Sequence, residues 1–214
     1  MKRFVVGDIH GRAAALREVL KKAKFDYEKV RLIILGDVVD GGDESKDVVE
    51  ELLKIKNRVL ILGNHDLWFI NSYKKGIIEN IWTTQGGAAT IRSYKDGIPE
   101  SHKKFFEEAV DYYIEDGDKL FVHGGFDVWH NKKVEETPRH FLVWDRTIID
   151  FARKGNTIPG FKEVYIGHTT TQLYGGTTEP IKFNNLYLLD CGAGYNGRLC
   201  LMNIDTKKHY LSKI

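Results

Sequence analysis

The first third of the chain alternates short apolar runs with longer stretches of helical periodicity. The apolar runs lie at Arg3–Val6, 31–35 and 58–62, and each is followed by a glycine and then an aspartate or asparagine. Between them, apolar residues repeat at the spacing of one helix face within residues 13–24 and 45–55. Apolar strands that alternate with helices are typical of parallel β-α-β units buried on both faces. We therefore predict a parallel sheet in this part of the chain.

The pattern becomes rich in strands after residue 111. Residues 66–110 are predicted to be mainly helical, with a loop at 85–87. Further on, a helix is predicted at 147–154. Short β-forming runs bounded by Gly and Asn clusters predict five strands, at 112–114, Lys119–Val122, Glu163–Ile166, 185–189 and 198–202. Because there is no repeat or clear linker, we expect a single mixed α/β domain over residues 1–214.

Polar side chains follow the ends of several predicted strands. They are carboxylates, imidazoles and one amide: Asp8, His10, Asp37, Asn64, His65, His123 and His168. In parallel sheets, ligands bind at the carboxyl ends of the strands, so these groups are expected to lie together. Each motif alone could be an ordinary turn, but a cluster of buried polar groups without partners is costly. The mixture suits borderline divalent metals, and the lack of cysteine argues against a structural zinc site.

Composition narrows the function classes further. The 32 Lys and Arg residues nearly balance the 30 Asp and Glu residues, so the net charge of +2 indicates neither a broad nucleic-acid footprint nor a membrane surface. The N-terminal apolar run is too short for a signal peptide, and no stretch approaches the ~18 apolar residues of a membrane span. We expect a cytoplasmic protein in which Cys191 and Cys200 stay reduced.

Five ordered motifs resemble those of a known family. They are Gly-Asp-Ile-His-Gly (7–11), Gly-Asp-Val-Val-Asp-Gly-Gly (36–42), Gly-Asn-His-Asp (63–66), His-Gly-Gly (123–125) and Gly-His-Thr (167–169), and the segment 190–193 resembles the family's ending. The set is similar to the PPP-type metallophosphatases. These include Ser/Thr protein phosphatases, their bacterial and phage relatives, and the symmetrical diadenosine tetraphosphate hydrolases.

The resemblance implies a fold and a role for each motif residue. The implied fold is the calcineurin-like α/β metallophosphoesterase fold, with two packed mixed β-sheets flanked by helices. Two divalent ions are implied, with manganese expected and iron or zinc as alternatives. His65 would be the general acid, and Asp40 would orient it. The implied metal ligands are Asp8 and His10 for the first ion, Asp37 as the bridge, and Asn64, His123 and His168 for the second.

One position departs from the family pattern. Relatives usually have an arginine after the second aspartate of the second motif, whereas this chain has Gly41. Arginine binds oxyanions through two parallel hydrogen bonds, so the departure affects phosphate binding. Arg146, in a segment that resembles a phosphate-binding Trp-x-Arg, and Arg12 are the candidate replacements. Tyr195 is a further candidate for the pocket wall.

The expected activity is hydrolysis of phosphomonoesters, in the manner of a Ser/Thr protein phosphatase, by attack of a hydroxide held between the metals. The expected partner is therefore a phosphoprotein or a small phosphate ester. The alternative substrate is a dinucleoside polyphosphate or another nucleotide, and a third hypothesis is a weakly active protein that binds phosphorylated partners. Asp66 ends the third motif but is not a ligand position in the family, and it is expected to cap a helix that starts near Leu67. Surface or structural roles are expected for the remaining histidines, His102, His130, His140 and His209.

Overall fold

The computed structural model describes residues 2–195 and 197–213. Its first sheet begins with three parallel strands, β1 (Arg3–Val6), β2 (Arg31–Ile34) and β3 (Asn57–Leu60). The connecting segments contain helices α1 (Ala13–Lys22) and α2 (Ser45–Leu53). This arrangement confirms the β-α-β prediction, although both helices end two residues earlier than predicted.

The segment between the two sheets is helical, as predicted, but it is broken into short pieces. These are α3 (Asn64–Lys75), α4 (Asn80–Trp82), α5 (Ala88–Ser93) and α6 (Glu100–Glu107). A π-helical turn at Thr83–Gly87 joins α4 to α5, and Gly86 within it has φ of 103°. Since only glycine adopts this conformation at little cost, Gly86 marks the bend between the two helices.

The second sheet is built from five strands in the order β4-β5-β6-β8-β7. The strands are β4 (Tyr112–Glu115), β5 (Lys119–Val122), β6 (Glu163–Ile166), β7 (Ile181–Phe183) and β8 (Leu186–Leu188). Its helices are α7 (Arg139–Trp144), α8 (Thr147–Arg153) and α9 (Gln172–Gly175), and a 3₁₀ turn lies at Val134–Glu136. The inner strands β5, β6 and β8 are parallel, whereas β4 and β7 pair antiparallel at the edges.

The chain returns to the first sheet at its end. Strand β9 (Cys200–Asn203) pairs antiparallel with β1, and β10 (His209–Leu211) pairs with β9, which gives the order β10-β9-β1-β2-β3. The predicted strand at 198–202 therefore starts later, and Arg198 makes only an isolated bridge to Gly192. The fold class, two mixed sheets flanked by helices, is confirmed.

Apolar side chains form three layers that follow the alternation of the strands. Val5 of β1 faces the second sheet, whereas Phe4 and Val6 face the helices on the outside. Between the sheets, the rings of Phe121, Tyr165 and Tyr187 stack with centroid distances of 4.7 and 4.8 Å. A strand buried on both faces in this way has an apolar residue at every position, which is the pattern in the sequence.

Among the described residues, no helix is long and apolar enough to cross a membrane.

Both cysteines are free thiols in the interior, as expected for reduced residues. His102 has a structural role, because it is buried and bonds to Tyr94 and Glu50, while His130, His140 and His209 are exposed.

Candidate active site

The motif residues meet at one edge of the two sheets. Each lies in the loop or helix start that follows a strand: Asp8 and His10 after β1, Asp37 and Asp40 after β2, Asn64 and His65 after β3, His123 after β5, and His168 after β6. Six of these eight side chains are buried, and His65 and His168 are partly buried. Both sheets therefore contribute to a single polar cluster.

Two groups of donor atoms in this cluster have the spacing of a metal site. The first contains His10, Asp37 and His65, and the second contains Asp37, His123 and His168. Within each group the atoms lie within 4.8 Å of one another. Asp37 belongs to both groups, as expected of a residue that bridges two ions. Asn64 lies beside the second group, because its Oδ1 is 3.0 Å from Nε2 of His123.

The residues present fit divalent cations. Oδ1 of Asp8 and Nε2 of His168 are buried and have no hydrogen-bond partner among the described residues. Such atoms are costly unless something binds them, and both are ligands that divalent metals accept. The other oxygen of Asp8 accepts a hydrogen bond from the backbone N–H of His168 at 2.9 Å, so the free oxygen is held in a fixed direction.

The imidazoles are oriented through their second nitrogen. Nδ1 of His10 lies 3.2 Å from the carbonyl of Val39, and Nδ1 of His123 lies 2.6 Å from the carbonyl of Leu35. If Nδ1 donates its proton to these carbonyls, the lone pair is on Nε2, which faces the cluster. Such contacts commonly fix the tautomer and direction of a metal-binding histidine.

The charge balance of the cluster also favours bound cations. Burial, together with the carboxylates of Asp190 and Asp37, raises the pKa of Asp8 well above its usual value. Burial lowers the pKa of His10 to about 4 and that of His168 to about 2. Both imidazoles are therefore neutral near pH 7 and have a free lone pair, while the buried carboxylates need a nearby positive charge.

Four residues of the site hold a left-handed backbone that side chains other than glycine rarely adopt. They are His10, Asp37, Asp40 and His168, with φ of 49°, 47°, 72° and 62°. Space is equally tight, because a Cβ on Gly63 would lie 2.2 Å from Oδ1 of Asp37. Strain of this kind persists where the surrounding structure requires it, often at functional sites.

His65 forms a pair with Asp40 at the side of the first group. Its Nδ1 lies 2.7 Å from Oδ2 of Asp40, which leaves Nε2 free. Burial lowers the pKa of His65, but the negative charges of Asp37 and Asp40 outweigh that effect and raise it to about 9. The imidazole therefore holds a proton at neutral pH, as the role of general acid requires.

Two further residues hold Asp40, and the sequence motifs gave no sign of them. The indole N–H of Trp82 donates to Oδ2 of Asp40 at 2.8 Å, and the hydroxyl of Thr90 donates to Oδ1 at 2.6 Å. The carboxylate is fully buried. The π-helical turn at Thr83–Gly87 lies between Trp82 and Thr90 and directs both side chains towards Asp40. No spacing in the sequence indicates this contact.

Two tryptophans form an aromatic wall that was also not predicted. The ring of Trp68 meets that of His65 edge-on at 5.0 Å, and the ring of Trp144 meets that of His168 at 5.6 Å. The two indoles contact each other at 5.2 Å. This wall packs His65 and His168 from the side and limits their movement.

Asp66 differs in detail from its expected role. Helix α3 begins at Asn64, so Asp66 stands at the third helical position and accepts a hydrogen bond from the N–H of Gly63 at 3.1 Å. Its other oxygen accepts from the N–H of Val38 at 2.9 Å. Asp66 therefore takes part in capping a helix, as expected, although α3 begins at Asn64 rather than near Leu67, and it also ties the loop after β2 to the start of α3.

Of the two candidate arginines, Arg146 lies close to the metal-binding groups. It stands at the start of α8, its side chain is exposed, and its charge contributes to the lowered pKa of His168. Among the described residues its guanidinium makes no ion pair. Arg146 is therefore available to an anion that approaches the second group.

Arg12 lies elsewhere. The cavity beside His10 and His65 has a volume of about 280 Å³ and is also lined by Gly41, Thr84 and Gln85. Arg12 does not line it. The Nε of Arg12 donates to the carbonyl of Ala193 at 3.2 Å, on the wall of a neighbouring cavity. Tyr195 lines both cavities, in agreement with its proposed place at the pocket wall.

Comparison with known proteins places this geometry in a family. Residues 1–176 match the family described as calcineurin-like phosphoesterase. The chain is 23% identical over 206 residues to serine/threonine-protein phosphatase 1 of Salmonella typhimurium, covering 94% of this chain and 91% of that protein. It is 40% identical over 81 residues to a symmetrical bis(5'-nucleosyl)-tetraphosphatase of Buchnera aphidicola, covering 37% of this chain and 29% of that protein.

Solved structures are similar over the whole fold. A structure provisionally assigned as a diadenosine tetraphosphatase has a TM-score of 0.75 at 20% identity and covers 98% of this chain and 92% of its own. A metallophosphoesterase from Sphaerobacter thermophilus has a TM-score of 0.60 at 18% identity, covering 100% of this chain and 88% of its own. The fold and family expected from the motifs are thereby confirmed. The chain belongs to the calcineurin-like phosphoesterase family and is a metal-dependent phosphoester hydrolase.

Proposed function

We propose that this protein hydrolyses phosphomonoesters, in the manner of a Ser/Thr protein phosphatase, with two divalent ions bound. The observation that carries the proposal is the pair of three-residue groups that share Asp37; the first of them includes His65, whose pKa is raised to about 9. The near full-length similarity to a serine/threonine-protein phosphatase supports it.

The proposed metal ligands are the motif residues around the two groups, and two of them, Asp8 and His168, each have a buried polar atom without a partner among the described residues. Asp8 and His10 serve the first ion and Asp37 serves both, while Asn64, His123 and His168 serve the second. We expect manganese, with iron or zinc as alternatives, because carboxylate, amide and imidazole ligands suit such metals. When bound, the two ions neutralise the charge of the phosphate and make water acidic enough to attack near neutral pH.

The protein's own groups supply the proton and orient the substrate. His65 donates a proton from Nε2 to the oxygen of the leaving group, while Asp40 holds Nδ1 and keeps the ring facing the cavity. Arg146 binds a free oxygen of the phosphate through its guanidinium. The wall of Trp68 and Trp144 prevents the two histidines beside it from rotating away.

Removal of the metal tests this proposal directly. We expect exhaustive chelation to abolish hydrolysis of para-nitrophenyl phosphate and added manganese to restore it. Asp37→Asn should lose metal and activity together, because the charge shared by both groups is gone. Asp150→Asn, at an exposed position of α8, should change neither. Full activity of the chelated protein would overturn the proposal.

A second candidate substrate is a dinucleoside polyphosphate, and Gly41 favours it. Gly41 lines the cavity beside His10 and His65, which we call the catalytic cavity, and supplies no cation to it. Relatives usually have an arginine at this position, and an arginine could bind a terminal phosphate there. Partial similarity to the symmetrical tetraphosphatases supports this alternative. A symmetrical hydrolase should cleave diadenosine tetraphosphate to two diphosphates and leave a phosphopeptide nearly untouched. We expect instead that phosphate is released from the peptide, and a kcat/KM that strongly favours the dinucleotide would reverse this choice.

A further inference from the structure

The carboxylate of Asp190 lies at the edge of the sheets that forms the site, but it has no part in the proposed function. The parallel strands that end at this edge are β1–β3 in the first sheet and β5, β6 and β8 in the second. All except β8 are followed by the metal-binding motifs. Strand β8 ends at Leu188 and is followed by Asp190, which is only 4% exposed. Asp190 thus has the position on β8 that the motif residues have on the other strands.

Backbone packing places Asp190 next to Asp8. A Cβ on Gly7 would lie 2.1 Å from the carbonyl oxygen of Leu189 and 3.4 Å from the backbone nitrogen of Asp190. The ends of β1 and β8 therefore touch without room for a side chain between them. Burial raises the pKa of Asp8, and Asp190 contributes more to this increase than Asp37 does. Asp8 and Asp190 are neighbouring carboxylates that come from different sheets.

The hydrogen bonds of Asp190 do not require its negative charge. Its Oδ1 accepts from the backbone N–H of Gly192 at 2.9 Å, a contact that an amide oxygen could also make. Its backbone carbonyl accepts from the N–H of Thr171 at 2.8 Å, in the loop that carries His168. No lysine or arginine within the described ranges forms an ion pair with Asp190. The charge is therefore buried without a permanent counter-ion from the protein.

A free ligand atom lies beside this charge. Oδ1 of Asp8 is buried and has no partner within the part of the chain that the structure describes. It is packed against Gly167, where a Cβ would lie only 2.1 Å away. Two adjacent buried carboxylates, one of them with an unused oxygen, are costly unless a cation binds there. The pair thus favours a positive charge at Asp8 more strongly than Asp8 alone would.

From this placement we infer that Asp190 is a positioning residue for the first metal ion. Held beside Asp8, its charge strengthens the binding of the ion that Asp8 and His10 bind, although Asp190 is not itself a ligand. Groups that act on a metal through one of its ligands commonly change affinity in this way. The inference rests on the metal binding in the proposed function and adds a residue outside the proposed ligand set.

The test measures metal retention in Asp190→Asn, which keeps an oxygen for the N–H of Gly192 and removes the charge. The manganese-loaded protein is dialysed against a series of decreasing free manganese concentrations, and the bound metal is measured at each. We expect one ion to be lost at a free concentration about 10–100 times higher than in the wild type. The other ion should be retained as in the wild type.

Two background variants identify which ion is affected. In Asp8→Asn the added Asp190→Asn change should weaken binding no further, because the ion at Asp8 is already lost. In His168→Ala it should still weaken the remaining ion. Glu115→Gln is the matched control. Glu115 is a buried carboxylate of the second sheet, but it pairs with Arg31 and lies opposite Lys119 at the start of β5, away from the site. Its neutralisation should leave the retention of both ions unchanged.

Thermal stability separates the effect of charge from a structural role. Without metal, Asp190→Asn should have a Tm equal to or above that of the wild type, because a like charge has left the cluster. The increase in Tm that manganese produces should be smaller. A lower Tm of the metal-free variant, wild-type retention of manganese, or equal weakening in the Asp8→Asn background overturns the inference. If the wild type retains two ions but hydrolyses no phosphomonoester, the proposed function fails separately, and the dialysis still decides the role of Asp190.

Discussion

His65 is held from two directions by acidic residues. Its ring bonds to Asp40 through Nδ1, and its backbone N–H donates to Oδ1 of Asp37 at 3.0 Å. The residue that would release the proton is thus fixed to the residue that both metal-binding groups share. These two contacts fix the position of the ring beside the metal-binding groups. Because the proposed metal ligands do not include His65, we expect that its ring can be removed without emptying the metal site.

His65→Asn should therefore keep its bound metal and lose turnover. We expect alkyl phosphates, whose leaving groups need a proton, to lose about 10²–10⁴-fold in kcat. Aryl phosphates should lose much less. The test measures the metal content of the variant and its kcat for an alkyl and an aryl phosphate. Equal losses for alkyl and aryl esters would contradict the role of His65 as acid.

Gly41 has a backbone conformation that limits what can replace it. Its φ is 76°, and a Cβ there would lie 3.3 Å from the carbonyl of Gly194. A left-handed conformation costs other residues about 1–2 kcal/mol. Any substitution at this position therefore combines an effect on the pocket with an effect on stability, and the two must be separated.

The pair Gly41→Arg and Gly41→Ala separates them. Both variants should show a Tm lower by roughly 2–4 °C per kcal/mol of strain. Only the arginine variant should lower KM for a small phosphomonoester, by up to about tenfold, because only it adds a cation for the phosphate. If the arginine and alanine variants have the same KM, position 41 does not face the bound phosphate.

At the scale of elements, the short helix α4 and the turn after it form a lid over Asp40. Helix α4 supplies Trp82, and Gly87 gives the indole its space, since a Cβ on Gly87 would lie 2.5 Å from that ring. Helix α5 supplies Thr90. Three donors, including His65, thus converge on one carboxylate. We expect the lid to affect catalysis by fixing the direction in which that carboxylate points.

Trp82→Phe should preserve the ring packing and remove one hydrogen bond to Asp40. We expect kcat for alkyl phosphates to fall about tenfold, the range of one hydrogen bond to a charged group. KM should be nearly unchanged, and the loss should shrink for aryl phosphates. Ile81→Ala, on the exposed side of the same helix, is the control. An equal loss for both ester types would mean that Trp82 supports only the fold.

The sequence predicted those elements whose apolar pattern is strong and local. Strands β1–β3 and the helices between them were predicted, because their apolar residues recur at the spacing of a buried strand or of one helix face. Strands β7 and β10 were not predicted. Each has three residues and lies at the edge of its sheet, where its side chains are only partly buried, so the sequence shows no clear apolar pattern there. The contact of Trp82 with Asp40 was not predictable either, since it depends on the path of the chain through the bend at Gly86.

At the scale of the whole molecule, the prediction of the site depended on two independent facts. The motifs identified residues such as Asp8 and His168, and the parallel sheets bring the ends of their strands to one edge. The position of Arg12 could not be obtained in this way. Neighbouring motifs suggested that it joins the catalytic cavity, but the wall formed by residues 193–195 comes from far along the chain and separates the two.

The first sheet has a consequence for the order of events during synthesis. Strand β1, which leads to Asp8 and His10, lies between β2 and β9, and Val5 pairs with Met202 nearly 200 residues away. Such pairing closes a long loop and is slow to form. On the ribosome, β1 therefore has an open edge until residue 203 has left the exit tunnel. In that interval an unpaired strand is exposed to association with other chains, and a chaperone that covers it would be expected to increase the yield of active protein.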